Sequence, residues 1–188
     1  MVLFTLRELL DLLVMTLALG YVFMQSIPRT RSIYQNFREN GWFNWENYKF
    51  AIYVAAPAVV LHELMHKFVA LWLGLTAVFH AWYFGLFLGL FLKIINSPLI
   101  LFAPGYVSIS ETTPSLMAIT AFAGPATNLV LFFIAWLILD RARHLSQKQA
   151  ILLYMTKQIN LFLFIFNMLP IPPLDGSKVI FGLFQALF

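Results

Sequence analysis

The sequence contains no cysteine, and only 11% of its 188 residues are charged. Without cysteine there is no disulfide framework, no thiolate nucleophile and no cysteine-ligated zinc or iron–sulfur site. A soluble domain carries about 25% charged residues, so the low charge argues against a protein that folds in water. A chain of this size also cannot hide 61% hydrophobic residues from solvent. The composition therefore indicates a chain that is surrounded by lipid.

A continuous basic patch is also missing, although the net charge is +4. The basic residues form two short clusters between apolar runs, Arg29 to Lys49 and Arg141 to Lys148. This distribution is typical of the loops that connect membrane spans. We therefore expect the lipid bilayer as a partner, and no nucleic acid.

Four apolar runs are long enough to cross roughly 30 Å of hydrocarbon. We predict spans at residues 2–24, 50–73, 116–139 and 150–169. A polar, aromatic-rich connection occupies residues 28–49, and residues 170–188 begin with a proline cluster and continue as a short terminal helix. Because no repeat or linker indicates a second domain, residues 1–188 are predicted to form one transmembrane domain.

The stretch 81–110 allows two interpretations. It has enough apolar residues to span, but glycine, proline and polar residues interrupt it, and its second half is rich in strand formers. So many breakers favour a re-entrant or β-hairpin element. The positive-inside rule favours it too, because re-entrance puts both basic clusters on one side. The predicted fold class is an all-α polytopic membrane protein with about four to six transmembrane helices and this re-entrant or β-hairpin element.

The second predicted span contains the sequence His-Glu-Leu-Met-His at residues 62–66. A spacing of four puts His62 and His66 on one helix face, where both imidazoles can bind one metal ion. Glu63 lies next to them and can act as general base towards a water molecule. Ionisable groups in lipid cost several kcal/mol unless they are paired or metal-bound. This cost favours a metal site over a chance match or a structural polar cluster.

A tetrahedral catalytic zinc needs a third protein ligand. His80 lies in a short aromatic loop, His144 in a basic loop and Glu111 in a polar turn. Asp175 follows a long apolar run, at a depth where a free carboxylate is costly. However, an aspartate just before a glycine is also a common helix cap. From the residues alone, the ligand role and the cap role of Asp175 are evenly balanced.

Two motifs together resemble one family. A His-Glu-x-x-His motif within a span is followed by Asn-x-x-Pro-x-x-x-Leu-Asp-Gly, here at residues 167–176. This pair resembles the site-2 protease family of intramembrane zinc metalloproteases. The Gly-Pro-Ala-Thr-Asn string at residues 124–128 resembles the family's G-P-x-x-N element, and residues 103–109 resemble its compact archaeal and bacterial branch. The resemblance covers residues 50–180.

The resemblance implies that His62, His66 and Asp175 bind one zinc ion per chain and that Glu63 is the catalytic base. The implied activity is intramembrane proteolysis, in which water attacks a peptide bond in the transmembrane segment of a single-span membrane protein.

The resemblance also implies that Asn128 and Asn167 line the cleft, where they bind the substrate backbone or the transition-state oxyanion. Asparagines also form hydrogen bonds between membrane helices, which is the alternative role for both. In addition, the strand-prone part of 81–110 could offer an edge to which an unwound substrate pairs.

Two rival readings stay open. Some membrane zinc proteases use a glutamate as third ligand, which would give that role to Glu111. A non-enzymatic zinc-binding membrane scaffold or chaperone is the second alternative. Di-iron membrane enzymes are set aside because they need more than the four histidines present. We expect a multi-pass protein of a prokaryotic cell membrane, and leave its orientation and homo-oligomerisation open.

Overall fold

The computed structural model describes residues 3–24, 43–95, 97, 104–110 and 112–187. Most of the predicted connection 28–49, part of the stretch 81–110 and the rival ligand Glu111 lie outside these residues. The elements assigned within them are α1 Leu6–Phe23, α2 Trp45–Trp72, β1 Ala77–Ala81, α3 Tyr83–Ile94, β2 Gly105–Ile109, α4 Pro114–Arg141, α5 Gln147–Asn167 and α6 Asp175–Leu187.

Three of these helices, α2, α4 and α5, are long and apolar enough to cross a membrane. With 28 residues each, α2 and α4 are about 42 Å long, which exceeds the roughly 30 Å of a hydrocarbon core. Helix α1, where we predicted a first span, is not among the three, and it carries Arg7, Glu8 and Asp11 within its 18 residues. The chain is therefore a membrane protein that is helical over most of the described residues.

Helices α1, α2, α4 and α5 each follow a residue whose side chain accepts a hydrogen bond from an N–H group of the first turn. Thr5 and Glu8 form a reciprocal capping box at α1, and Asn44, Thr113 and Ser146 cap α2, α4 and α5. Such side chains satisfy N–H groups that have no partner within the helix. The Asn44 cap explains why α2 begins at Trp45, five residues before the predicted span.

The stretch 81–110 contains a helix and a strand, and the strand pairs back onto the chain before it. Strands β1 and β2 are antiparallel, with Ala77 opposite Ile109 and Ala81 opposite Gly105. Helix α3 lies between them in the chain, and its buried face includes Gly85 and Gly89, which let it pack closely against its neighbours. The predicted β element is therefore present as a two-stranded sheet within an otherwise helical set of assigned elements. Whether the element re-enters the bilayer stays a prediction.

Helix α2 is central, since it contacts α1, α4, α5 and both strands. One buried cluster joins α1, β1 and α3 through Met15, Leu19, Phe79, Ala81 and Leu86. Val59 and Val60 of α2 and Val107 of β2 pack against this cluster. The sheet therefore lies beside α2, about one helical turn before the His-Glu-x-x-His motif.

The outer face of α4 is strongly apolar. Its exposed side chains include Val130, Phe133, Ile134, Trp136 and Leu137. A soluble monomer rarely exposes so large a continuous apolar surface. In a membrane this face contacts acyl chains, which agrees with the assignment of α4 as a span.

Candidate metal centre and active site

Three side chains from two helices meet at one point. His62 and His66 lie one turn apart on α2, and Asp175 is the first residue of α6. The two Nε2 atoms are 3.1 Å apart, and Asp175 Oδ2 is 3.1 Å from His62 Nε2 and 3.2 Å from His66 Nε2. The structure thus brings together the three residues that the sequence predicted as ligands.

Each histidine is oriented by a hydrogen bond at its other ring nitrogen. His62 Nδ1 donates to Asn128 Oδ1 at 2.6 Å, and His66 Nδ1 donates to the Thr120 carbonyl at 2.8 Å. Both acceptors are carbonyl oxygens, which cannot donate, so the ring proton lies on Nδ1. Each Nε2 is then left with its lone pair, as a metal ligand requires.

This set of donor atoms fits a zinc ion. Two imidazole lone pairs and a carboxylate oxygen directed at one another repel unless a positive charge lies between them. Tetrahedral zinc with bonds of about 2.0–2.1 Å places its ligand atoms roughly 3.3 Å apart, close to the 3.1–3.2 Å found here. Three protein ligands from His and Asp are also the usual number at a catalytic zinc with one open position.

Gly124 of α4 provides the space for the two imidazoles. A Cβ atom at this position would lie 2.7 Å from His62 Nε2 and closer still to His66 Nε2. Thr120, Gly124 and Asn128 follow one another at a spacing of four, so they share one face of α4. The Gly-Pro-Ala-Thr-Asn motif is therefore part of the surface that supports both histidines.

Glu63 is buried next to the cluster. The charged groups that surround its carboxylate are those of His62, His66, Asp175 and Lys178. Within the described part of the chain, no hydrogen bond to this carboxylate is found. Its oxygens are therefore free to accept a proton, which is the property that the predicted base needs.

Asn128 lies next to the cluster and forms the interhelical hydrogen bonds that were the alternative to its predicted substrate role. It is 0% exposed, and its amide group donates to the Ala58 carbonyl at 3.0 Å and to Asn160 Oδ1 at 2.8 Å. These two bonds fix the orientation of the amide, so Oδ1 faces His62. In this structure Asn128 orients the predicted ligand His62, and both amide hydrogens already have acceptors; its contact with substrate stays a prediction.

The other candidates lie apart from the cluster. Asn167 ends α5, and its side-chain amide donates to the Leu163 carbonyl at 3.0 Å, so its substrate role stays a prediction. His80 lies in β1 with its ring against Tyr106, and His144 is exposed between α4 and α5. Among the described residues, the cluster that could hold a metal is His62, His66 and Asp175.

Sequence reasoning missed two groups that support the site. Asn160 is 0% exposed and holds Asn128 in place. Its signal was available, because an asparagine inside an apolar span is costly unless it has a partner. The Thr120 carbonyl could not be found, because a backbone acceptor leaves no mark in the sequence.

Comparisons with known proteins agree with this site. The model of Peptidase family M50 matches residues 142–188, a range that includes Asp175 and Asn167. A Methanocaldococcus jannaschii protein named "Putative zinc metalloprotease MJ0611" is 36% identical over 183 residues, which cover 94% of this chain and 85% of that protein. A Bacillus subtilis protein named "Putative zinc metalloprotease YwhC" is 39% identical over 70 residues, which cover 33% of this chain and 32% of that protein. No solved structure matches the chain significantly.

The M. jannaschii relative aligns with nearly the whole chain, so the aligned region includes both the helix with His62 and His66 and the segment with Asp175. The family model independently matches the segment that contains Asp175, the predicted third ligand. The chain therefore belongs to peptidase family M50, the site-2 protease family of zinc metalloproteases.

Proposed function

We propose that this protein is an intramembrane protease that cleaves transmembrane segments of other membrane proteins. The observation that carries the proposal is the position of the His62, His66 and Asp175 cluster. Two of its ligands lie on α2, which is long and apolar enough to span a membrane, and the donor atoms are buried. A hydrolytic site at this position would meet membrane-embedded peptide bonds.

The chemistry divides between the metal ligands and Glu63. His62, His66 and Asp175 would hold the zinc, which supplies Lewis-acid activation of water and of the scissile carbonyl. Glu63 accepts a proton from the attacking water and then donates it to the leaving amine. The helices around the carboxylate exclude bulk water, so a proton transferred to Glu63 is retained until the amine leaves.

The β2 edge is the proposed site of substrate pairing. The bonds from Trp82 N to the Pro104 carbonyl and from Ser110 N to the Thr76 carbonyl fix the register of the sheet. In this register the N–H and C=O groups of Gly105, Val107 and Ile109 point away from β1. An opened substrate segment can add to this edge as a further strand. It must open, because an intact transmembrane helix has its backbone groups hydrogen-bonded within itself.

An apolar cavity of about 480 Å³ opens beside the segment that carries Asp175. We propose that it receives an apolar side chain of the substrate, since transmembrane segments are rich in such residues. Its lining comes from the proline segment, α6 and the start of α4: Pro170, Pro172, Ser177, Lys178, Ile180, Phe181, Phe184 and Met117.

The proposed setting is a prokaryotic cell membrane, with α2, α4 and α5 as spans and single-span membrane proteins as substrates. We propose that α1 and the α3–β2 segment also enter the bilayer, which gives the multi-pass arrangement expected from the sequence. The apolar outer faces of the helices support this arrangement.

A cleavage assay with Glu63→Gln tests the proposal. The wild type and the variant are reconstituted in lipid vesicles with a synthetic transmembrane peptide, and fragments are identified by mass spectrometry. We expect zinc to be retained and cleavage to fall by about 10²- to 10⁴-fold, because only the proton acceptor is lost. His144→Gln, in an exposed loop, is the matched control and should cleave normally.

The same assay separates the rival function. A zinc-binding scaffold without peptidase activity would hold zinc and bind the peptide but leave it intact in the wild type. Equal cleavage by wild type and Glu63→Gln would instead refute the assignment of Glu63.

A further inference from the structure

We propose that Glu8 and Asp11 of α1 are positioning residues that occupy the outer edge of β1 and so direct a substrate strand to the edge of β2. The proposal rests on the proposed function, and it assigns a role in that function to a helix outside the metal site. The two carboxylates are each only 2% exposed and take no part in the proposed hydrolysis.

The two carboxylates bind the backbone of β1. Phe79 N donates to Glu8 Oε1 at 2.8 Å, and Ala81 N donates to Asp11 Oδ2 at 3.2 Å. Both N–H groups belong to residues whose backbone points away from β2 in the register of the sheet. Glu8 and Asp11 are three positions apart on one face of α1. They therefore take the place that the carbonyl groups of a neighbouring strand would hold.

Each carboxylate is further held in place. Glu8 pairs with Lys67, which is 1% exposed and lies over the Phe4 ring. The other oxygen of Glu8 accepts from Thr5 N at 2.9 Å. Asp11 Oδ1 accepts from the Tyr83 hydroxyl at 2.5 Å. A carboxylate with so many partners is fixed in position, so it can hold β1 in a fixed position relative to α1.

The Lys67 contact connects this arrangement to the active-site helix. Lys67 directly follows the ligand His66 on α2. Through Glu8 it connects α1 and β1 to α2 next to the metal ligands. Val107 of β2 packs in the same buried cluster as Val59 and Val60. The position of the β2 edge relative to the catalytic residues thus depends on the hold that α1 has on β1.

The two edges of the sheet consequently differ. On the β1 edge, Phe79 N and Ala81 N already have acceptors. On the β2 edge, the N–H groups of Gly105, Val107 and Ile109 have no partner among the residues that the structure describes. An added strand needs free N–H and C=O groups, so the β2 edge is the one that accepts it.

Two pairs of variants with matched charge test the positioning role. Glu8→Gln/Lys67→Met and Glu8→Leu/Lys67→Met both remove the ion pair, but only glutamine keeps an acceptor for Phe79 N. Asp11→Asn and Asp11→Leu differ in the same way at Ala81 N. We expect the leucine variants to keep zinc and kcat while KM for the transmembrane peptide rises roughly tenfold. The glutamine and asparagine variants should keep KM near the wild-type value.

A loss of fold alone would lower zinc content and kcat together. Equal KM values within each pair would overturn the proposal, because the acceptor would then not matter.

Disulfide trapping identifies the edge directly, since the chain has no natural cysteine. Ser108 of β2 and Val78 of β1 are directly opposite each other in the sheet and are both exposed. Ser108→Cys and Val78→Cys are made separately in Glu63→Gln protein, which is oxidised with a transmembrane peptide carrying one cysteine. A strand added at the β2 edge lies about 5 Å from position 108 and about 10 Å from position 78.

We expect cross-links at position 108 and few at position 78. With Glu8→Leu/Lys67→Met or Asp11→Leu added, cross-links should appear at position 78. Predominant cross-linking at position 78 with α1 intact would overturn the proposal. Because trapping does not require cleavage, an inactive wild type would refute the proposed function and still leave the edge preference measured.

Discussion

Two buried polar clusters lie on consecutive residues of α2, and they differ in how their charges are balanced. In the first cluster, the Nε2 atoms of His62 and His66 and the Oδ2 atom of Asp175 face one another 3.1–3.2 Å apart. At Lys67, the ammonium group meets Glu8, and the carboxylate oxygens of Glu8 and Asp11 also accept from N–H and O–H groups.

This difference in charge balance distinguishes the candidate metal site at His62 and His66 from the structural contact at Lys67. In the cluster around Lys67 every charge has a partner from the protein, so the groups need nothing further. In the cluster around His62 the donor atoms need a cation, and both Nδ1 atoms are held so that Nε2 stays directed inward. A buried polar group is thus a candidate for function when the protein itself does not satisfy it.

The largest expected effect follows from removing one of the three predicted zinc ligands. Asp175→Ala should lose nearly all bound zinc and all cleavage, because two histidines alone leave the site one ligand short. Zinc per chain measured by mass spectrometry checks this. Asp140→Ala, an aspartate in an exposed ion pair, is the control and should retain full zinc. Full zinc occupancy in Asp175→Ala would show that another group is the third ligand.

A methyl group at Gly124 should also damage the zinc site. In Gly124→Ala the new Cβ lies within 2.7 Å of His62 Nε2, so the imidazoles must move and zinc affinity should fall by at least tenfold. Competition with a fluorescent chelator measures this affinity.

Gly182→Ala is the control for Gly124→Ala. Its Cβ clashes with Pro114 and Ala118 where α6 packs on α4, without touching either histidine. It should destabilise the fold while zinc affinity stays unchanged, and an equal loss of affinity would mean that Gly124 matters only for helix packing.

Removing one partner of the Glu8–Lys67 ion pair should lower the free energy of unfolding more than removing both charges. Lys67→Met leaves the Glu8 carboxylate buried without its cation, which should lower the free energy of unfolding by about 3–5 kcal/mol. In Glu8→Gln/Lys67→Met neither charge remains, and most of that loss should be recovered. Denaturant titration followed by circular dichroism in detergent gives both values. If the double variant were as unstable as the single one, the charges would not be acting as a pair.

The smallest effect on zinc affinity is expected at Asn160, which contacts the site only through Asn128. Asn160→Leu removes the acceptor that orients the Asn128 amide, so His62 should be held less firmly and zinc affinity should fall about 10-fold. Asn167→Leu, where the side chain bonds within its own helix, should leave zinc affinity unchanged. Zinc titration of both variants checks the difference, and an unchanged affinity in Asn160→Leu would remove Asn160 from the support of the site.

The sequence predicted those parts of the site that depend on local periodicity. His62, Glu63 and His66 are close because a helix repeats every 3.6 residues, and no tertiary information is needed to see it. Asp175 lies 109 positions from His66 in the chain, and residue types alone left its ligand and cap roles equally balanced. Its place in the prediction came from the resemblance to a family.

Contacts between elements could not be predicted in this way. The hydrophobic pattern shows that a helix is apolar but not which other helix it packs against. The contacts of Glu8 with Lys67 and of Asn128 with Asn160 were therefore not predicted. Gly85 and Gly89 were interpreted as helix breakers, yet they lie on the buried face of α3. In a membrane protein, small residues also allow close packing between helices.

Zinc-dependent proteolysis within the membrane is tested by cleavage of a transmembrane peptide by the purified wild type in lipid vesicles, before and after removal of zinc. We expect cleavage within the apolar segment, loss of cleavage when a chelator removes the zinc, and recovery when zinc is added back. Cleavage that persists without zinc, or a fully zinc-loaded protein that leaves the peptide intact, would contradict it.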